Sequence, residues 1–306
     1  MKVLIVVSGN SGGISPFVKE QVDSLIELGI SFDYFFIKGK GTIGYLKNFS
    51  YLNYTINNIN YDLVHAHYGL SGLLATIQVR VPVLITFHGS DINLRKNYIF
   101  SRLAANLSTN NIFVHPNLPI KLKLFSKNLN IIPCGVDTKT FKPIPMNTAR
   151  KLLGFDTNSR YILFSSAFDN PIKNAPLAIK ATKRLKNVQL IELKDYTKKE
   201  VNLLMNASDL LLITSFSETG PIVAKEAIAC NCPIVSTDVG DVKILINNIR
   251  NCFITNFDHN EIKEKINFIF DSKKRSNGSE TMKNFSLEII AKKILKVYRT
   301  FEKNIN

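Results

Sequence analysis

No stretch of the chain reaches 18 consecutive apolar residues, so no membrane-spanning helix is predicted. Met1 to Val7 contains one Lys and gives way to Ser8, Gly9 and Asn10, too short a run for a signal-peptide core. The four cysteines, Cys134, Cys230, Cys232 and Cys252, show no metal-ligand spacing, and Cys-x-Cys is not the redox Cys-x-x-Cys. They are read as reduced thiols in a cytoplasmic protein. Acidic residues are scarce: 24 Asp and Glu face 39 Lys and Arg, a net charge of +15. The excess is +7 in residues 1–145 and +8 in the remainder, with no basic tail. Such a surface attracts anionic substrates and anionic membrane head groups, although Lys-rich usage in an AT-rich genome gives the same excess. RNP, zinc-finger and helix-turn-helix patterns are lacking, so nucleic acid is not an expected partner. What is present, 45% hydrophobic and 21% charged residues over 306 positions, describes a soluble globular protein large enough for two domains.

The most informative stretch is residues 214–238. Leu210 to Ile213 is an apolar run that reads as a buried parallel strand. Thr219, Gly220 and Pro221 turn the chain, Ile222 to Cys230 is a short helix, and Pro233 to Val235 opens the next strand. Such a βαβ unit places a helix N-terminus, with free amides and a positive dipole end, at the carboxyl edge of the sheet. Glu218 precedes the helix and Glu226 lies eight residues on. Helical rise throughout would separate them by roughly 12 Å. Paired glycosidase acids stand closer, at about 5 to 9.5 Å. The wider spacing suits an elongated ligand with an anionic middle, such as a sugar, a pyrophosphate and a ribose diol. Each Glu alone also reads as an ordinary helix-start or solvated helix-face residue.

The whole string, Ser215, Glu218, seven residues, Glu226 and then Ala-Ile-Ala-Cys-Asn-Cys-Pro-Ile-Val ending at Val235, resembles the signature of the family 4 retaining glycosyltransferases of GT-B fold. The resemblance implies an α/β protein with two doubly wound Rossmann-like domains facing across an interdomain cleft. It implies that Glu218 meets the donor sugar and Glu226 the nucleotide ribose. Pro221 stands where the family more often has Gly and removes one amide, leaving Ile222 and Val223 as donors to the phosphate or sugar.

Toward the N-terminus, Lys2 to Ser8 is a predicted strand, Gly9-Asn-Ser-Gly-Gly13 a turn, and Pro16 to Leu28 a helix stopped by Gly29. A full Gly-x-Gly-x-x-Gly is missing, so a plain tight turn is an open alternative; in the family the matching turn, here Gly12 and Gly13, faces the donor phosphates. Asp62 to His67 is a strand that puts His65 and His67 on one face. This spacing suits a metal, but with no third ligand nearby they are read as strand-end or acceptor-site histidines. Val83 to Phe87 leads into His88-Gly-Ser-Asp91, which also resembles the family and would set His88 near the donor sugar, able to donate to a hydroxyl or phosphate. Asp91 is expected to cap a short helix. Between Leu118 and Lys127, Lys121, Lys123 and Lys127 alternate with apolar residues, among them Phe125. This reads equally as a lipid-touching surface or a short buried strand.

Ile131 to Asp137 is read as the last strand of the first domain, and its continuation to Pro143 resembles the family's hinge. The domains are thus 1–142, on the acceptor side, and 143–286, binding the donor, with the basic amphipathic helix 287–303 packing back on the first. A calmodulin-like or membrane-surface role for that helix is secondary. After the strand Tyr161 to Ser165 the family places an Arg and then a Lys to clamp the pyrophosphate. Lys173 matches the second; the first has no match, since Ser166 follows the strand. Asp241, in Ser236-Thr-Asp-Val-Gly-Asp-Val, is read as a helix cap.

The resemblance implies transfer of a sugar, with retained configuration, from a nucleotide-diphosphate donor to an acceptor hydroxyl. The leaving diphosphate would be stabilised by Lys173, the amides of Ile222 and Val223, and the Gly12–Gly13 turn. No Asp-x-Asp triplet occurs and the family usually works without metal, so neither metal nor other cofactor is expected. Closure about residues 136–148 would exclude water. The expected acceptor is a saccharide or lipid-linked chain in surface polysaccharide or glycolipid synthesis, with the enzyme cytoplasmic or peripheral on the membrane's inner face. The alternatives are a noncatalytic nucleotide-sugar-binding scaffold and a GT-B sugar-nucleotide epimerase.

Overall fold

The computed structural model describes residues 1–10, 12–124 and 129–302. Two compact units divide the chain. Unit 1 comprises Met1–Gly135 and the segment from Leu287 onward; unit 2 is Val136–Ser286. The division falls before Val136 because Val136 and Phe141 pack into the unit 2 core, and the Val136 amide donates to the Phe285 carbonyl at 2.9 Å.

In chain order, unit 1 runs β1 (Lys2–Ser8), α1 (Pro16–Ile26), β2 (Ser31–Ile37), α2 (Gly41–Leu46), α3 (Phe49–Asn58), β3 (Leu63–His67) and α4 (Gly69–Thr76). It continues with β4 (Val83–Phe87), α5 (Ser90–Asn93), α6 (Arg95–Leu107), β5 (Asn110–Phe113), α7 (Asn117–Lys121) and β6 (Leu129–Ile131). The strands form one parallel sheet in the order β2-β1-β3-β4-β5-β6. β1, β3 and β4 are buried along their lengths, which explains their near-continuous apolar sequences: helices cover both faces of a parallel sheet. Pro16 begins α1, where its missing N–H leaves no helical bond unmade.

Unit 2 runs α8 (Met146–Leu153), β7 (Arg160–Phe164), a 3₁₀ turn Pro171–Lys173, α9 (Ala175–Thr182), β8 (Val188–Glu192), α10 (Lys198–Ala207), β9 (Leu210–Ile213) and α11 (Ile222–Ala229). Then come β10 (Ile234–Thr237), α12 (Val242–Leu245), β11 (Cys252–Thr255), α13 (His259–Ser272) and α14 (Ser279–Met282). Its sheet is also parallel, ordered β11-β10-β9-β7-β8. Thr197 and Glu200 form a reciprocal capping box at the start of α10, and left-handed Gly154 closes α8.

The last helix, α15 (Leu287–Glu302), returns to unit 1. Ile290, Ile294, Val297, Tyr298 and Phe301 on its apolar side are buried with Val3, Ile5, Val22 and Leu25. That stripe is therefore core, which displaces the membrane-surface and calmodulin-like readings of this helix; Lys303 lies outside the described residues.

Several expectations are corrected. Ile131–Asp137 is not a strand: pairing with β5 covers Leu129–Ile131 only, Pro133 has no amide to continue it, and Val136 makes an isolated bridge to Ser286. The stretch after Leu118 is not a strand but α7 and its exit, with Leu118 and Leu122 buried and Ile120 exposed. Phe125 and Lys127 lie outside the described residues. Asp91 is not a cap, since Gly89 holds the N-cap position of α5. Its buried carboxylate instead accepts the amides of Gly89 at 2.8 Å and Gly69 at 3.1 Å, joining two strand-end loops.

Tyr298 donates or accepts at 2.7 Å with His65 Nδ1 inside this core. Tyr298→Phe is expected to lose about 1–3 kcal/mol, the effect of leaving a buried polar group unmatched. Urea unfolding measures this; an unchanged midpoint would remove the bond from the account of unit 1.

Candidate active site

The strand order of unit 2 reverses between β7 and β9: β7 connects onward to β8 on one side and β9 to β10 on the other. Open parallel sheets bind ligands outside the carboxyl ends of strands at such a switch point. Lys173 arrives there from β7 and Glu218 from β9. Lys173 Nζ lies 2.6 Å from Glu218 Oε1, and the Ser215 hydroxyl donates to the same oxygen at 2.8 Å. Both side chains are largely buried, with 19% and 13% of their surface exposed, so the pair is only weakly screened.

Backbone contacts fix this meeting. The Thr214 hydroxyl bonds to the carbonyls of Lys173 and Asn174 at 3.0 and 2.9 Å, and the Phe216 amide donates to Ile172 at 2.9 Å. From the other side, the Thr237 hydroxyl donates to the Ser215 carbonyl at 2.9 Å. Three strand-end loops are thereby stitched together around Lys173 and Glu218. Gly240 adopts φ +56°, and a Cβ there would lie 2.7 Å from the Thr219 carbonyl oxygen, so the loop after β10 presses against the Thr219 turn.

Thr219 and Gly220 sit in the half-buried turn between Glu218 and α11. Ile222 and Val223 occupy the first two helical positions, whose amides have no acceptor within the helix. Glu226 is half-buried one turn further on. Residues 218–221 are not helical, so the 12 Å expected from uninterrupted rise does not apply; helical rise accounts for only about 6 Å, from Ile222 to Glu226. Between these groups α11 carries Lys225, 1% exposed, with its amine 3.9 Å from Asp241 Oδ2 and 5.6 Å from the Phe285 ring centre. Asp241 holds the N-cap position of α12 but makes no side-chain cap bond; its Oδ2 would lie 3.2 Å from a Cβ on Gly220.

In unit 1 the order reverses between β1 and β3. After β1, Gly12 and Gly13 take φ of +84° and +140°, and a Cβ at either would meet nothing, so backbone conformation rather than space calls for glycine. After β3 lies a histidine cluster. His65 Nε2 pairs with the Thr86 hydroxyl at 2.8 Å, and His65 stacks on His67 with centroids 4.6 Å apart. His67 Nδ1 and His88 Nε2 are hydrogen-bonded at 2.9 Å, one ring donating and the other accepting, and His88 Nδ1 lies 4.0 Å from Cys134 Sγ. Both His88 nitrogens therefore face protein groups, whereas His67 Nε2 is buried with no hydrogen-bond partner among the described residues. Tyr68 follows at φ +70° and ψ 151°, a strained backbone for any residue but glycine, and its ring lies 4.7 Å from that of His88. Among the described residues no group of three His, Cys, Asp or Glu is arranged to hold a metal ion.

Burial pushes His65 and His88 down to about 3 and His67 well below the ordinary imidazole range. Burial also pushes Asp91 up to about 6, against the pull of the surrounding amides, chiefly that of Gly89.

Comparison with known proteins agrees with this architecture. Residues 191–285 match the family model for glycosyl transferases group 1, and residues 14–114 that for glycosyl transferase 4-like domains. An uncharacterized glycosyltransferase of Methanocaldococcus jannaschii is 27% identical over 305 residues, covering 84% of this chain and 83% of the relative. A putative teichuronic acid biosynthesis glycosyltransferase, TuaC of Bacillus subtilis, is 26% identical over 223 residues, 63% of this chain and 57% of the relative. The chain thus spans little more than half of that second protein's length. Among solved structures, sucrose-phosphate synthase from Thermosynechococcus elongatus superposes with a TM-score of 0.88 at 16% identity, covering 99% of each chain. Anabaena HepE in complex with UDP gives 0.77 at 17% identity, covering 98% of this chain and 99% of its own. The fold is GT-B, and the chain belongs to the group 1, family 4 type of glycosyltransferases.

Sequence reasoning had Ser215 only as a member of the signature string, without its bond to Glu218, and missed Thr214, Thr237 and Lys225, which position the pair and the turn. Gly240, in Val-Gly-Asp after β10, was the available signal for close backbone approach. Nothing in the sequence pointed to the Tyr68 strain or the contact of Cys134 with His88.

Two outcomes follow. Near pH 5 the unfolded chain protonates three imidazoles that the native cluster keeps neutral, while native Asp91 retains a proton that unfolded Asp91 gives up. Unfolding then takes up about two net protons, so stability should fall as pH drops from 6.5 toward 5, by about 1.4 kcal/mol per pH unit per net proton. Urea midpoints across that range check the sign. Separately, Lys225→Met leaves the Asp241 carboxylate without its buried cation and should destabilise by about 3 kcal/mol. Adding Asp241→Asn should recover part of this; strict additivity in the double-mutant cycle would show the two residues uncoupled.

Proposed function

We propose that the chain transfers a sugar from a nucleotide-diphosphate donor to an acceptor hydroxyl with retained anomeric configuration. The observation that carries the reading is the Lys173–Glu218 pair, 2.6 Å apart where the unit 2 strand order reverses. An ammonium there suits an entering diphosphate, and the amides of Ile222 and Val223 supply fixed donors to the same charge. As the diphosphate draws Lys173, Glu218 Oε1 is released to accept from sugar hydroxyls, while Ser215 continues to orient it. Glu226 takes the ribose diol. His88 reaches a sugar hydroxyl only by exchanging the bond to His67 or the contact with Cys134. The solved neighbour HepE, described with UDP and with UDP-glucose, supports a uridine-type donor, and the teichuronic acid relative supports a surface polysaccharide as acceptor. No metal is assigned a role.

One observation favours a second reading, a donor-binding scaffold without turnover: Ser166 stands where a second phosphate-gripping cation would be. A panel of sugar nucleotides with polysaccharide and glycolipid acceptor extracts, scored for diphosphate release, distinguishes them. Transfer predicts release with one donor, lowered about 10²–10³-fold in kcat by Lys173→Met and strongly by Glu218→Gln. Glu226→Gln should act mainly on the donor KM, by about tenfold or more, since it holds a part remote from the reacting carbon. Donor binding with no release for any acceptor leaves the scaffold, and inverted product configuration would refute retention.

A further inference from the structure

From Tyr34 to Tyr61 the chain has no Asp or Glu and three lysines, Lys38, Lys40 and Lys47, all exposed. Within this stretch α2 buries no residue at all. Ile43 and Leu46 on α2 are 72% and 54% exposed, and Tyr51 and Tyr54 on α3 are 66% and 64% exposed. Each pair is spaced three apart, so each lies on one face of its helix. Core packing therefore gives no reason for Ile43, Leu46 and Tyr54, while Tyr51 keeps one side of its ring against that of buried Phe35, centroids 5.5 Å apart. α2 is held by Tyr45, half-buried against the unit 1 core, and by Asn48, whose Nδ2 donates to the carbonyls of Lys38 and Gly44 at 2.8 and 2.7 Å. Its Oδ1 accepts the Lys38 amide at 3.1 Å. The apolar side chains are thus displayed on a pinned frame.

We propose that this face of unit 1, α2 with the first turns of α3, docks on a bilayer surface carrying anionic lipid head groups. Isoleucine and leucine would enter the acyl boundary, tyrosines suit the head-group level, and the lysines supply the attraction to anionic lipid. The twelve residues from Ile43 to Tyr54 fall short of the about 20–30 residues a side of a stable protein interface, and the absence of carboxylates across the stretch matches a surface of one sign. Position gives the contact a use. Asn10, in the turn that carries Gly12 and Gly13, exchanges two hydrogen bonds with Gly39, Nδ2 to its carbonyl at 2.7 Å and Oδ1 from its amide at 3.0 Å. The lipid-facing segment is therefore fastened to the turn at the carboxyl edge of β1. Resting on the glycosyl-transfer reading, this placement would bring a lipid-linked acceptor to unit 1 along the membrane plane rather than from bulk water.

The test is flotation of the full chain with vesicles of phosphatidylcholine alone or mixed with phosphatidylglycerol, without donor, so that binding is read independently of transfer. Binding is expected only with phosphatidylglycerol and should weaken with salt. Ile43→Ser with Leu46→Ser should lower partitioning at least tenfold, and Lys40→Ala with Lys47→Ala about 30-fold. Lys121→Ala on α7 should leave it unchanged. Neither double variant touches the groups assigned to the donor, so transfer to a soluble acceptor should persist in both. Absence of vesicle binding, or binding indifferent to both double variants, overturns the proposal. So does concentration-dependent self-association abolished by the serine variant, which would assign the face to a second copy.

Discussion

The arrangement of unit 2 depends on a half-hidden ammonium and carboxylate held 2.6 Å apart. Neither Lys173 nor Glu218 belongs to a long element that would place it rigidly. A three-residue turn and an irregular loop bring them together, and threonine and serine hydroxyls from adjoining strand ends hold those loops. Each charge satisfies the other, and the Ser215 hydroxyl orients the carboxylate. On the transfer reading proposed above, a diphosphate would compete for the lysine and release an acid already in place, which limits the reorganisation needed when charge develops.

Unit 1 solves a different problem, which is to place polar rings deep in a parallel sheet. The clustered histidines His65, His67 and His88 are neutral by burial and bond to Thr86, Tyr298 and one another. The strain at Tyr68 and the buried Asp91 lie at the same sheet edge and draw the loops after β3 and β4 together. Such a network is specific in shape and vulnerable to acid, because each buried ring must remain uncharged.

Much of this was legible in the sequence, for identifiable reasons. Unbroken apolar runs such as Val3–Val7 and Leu210–Ile213 can scarcely be other than buried parallel strands, and the Glu218–Glu226 string fixes a strand, a turn and a helix in order. The fold followed, and so did the strand, turn and helix of residues 210–229. Errors arose where local pattern competes with long-range pairing. Ile131–Asp137 looks extended, yet Pro133 ends its ladder. Asp91 has the composition of a cap, yet its carboxylate serves two other amides. The roughly 12 Å between the two glutamates holds only for helical rise throughout, and the Thr219–Pro221 turn interrupts the helix. The Lys173–Glu218 pairing joins residues 45 positions apart in the chain, and no local periodicity encodes it.

The return of α15 to the first sheet bears on how the protein is made. Unit 2 ends at Ser286 and has all its strands once that residue leaves the ribosome, whereas the first-synthesised sheet lacks Ile294, Val297, Tyr298 and Phe301 until unit 2 has been made. Domains generally fold in order of synthesis; here the later one is positioned to finish first. During translation of about 150 intervening residues the nascent first sheet presents an uncovered apolar face, and it is this interval that should make the chain depend on chaperones.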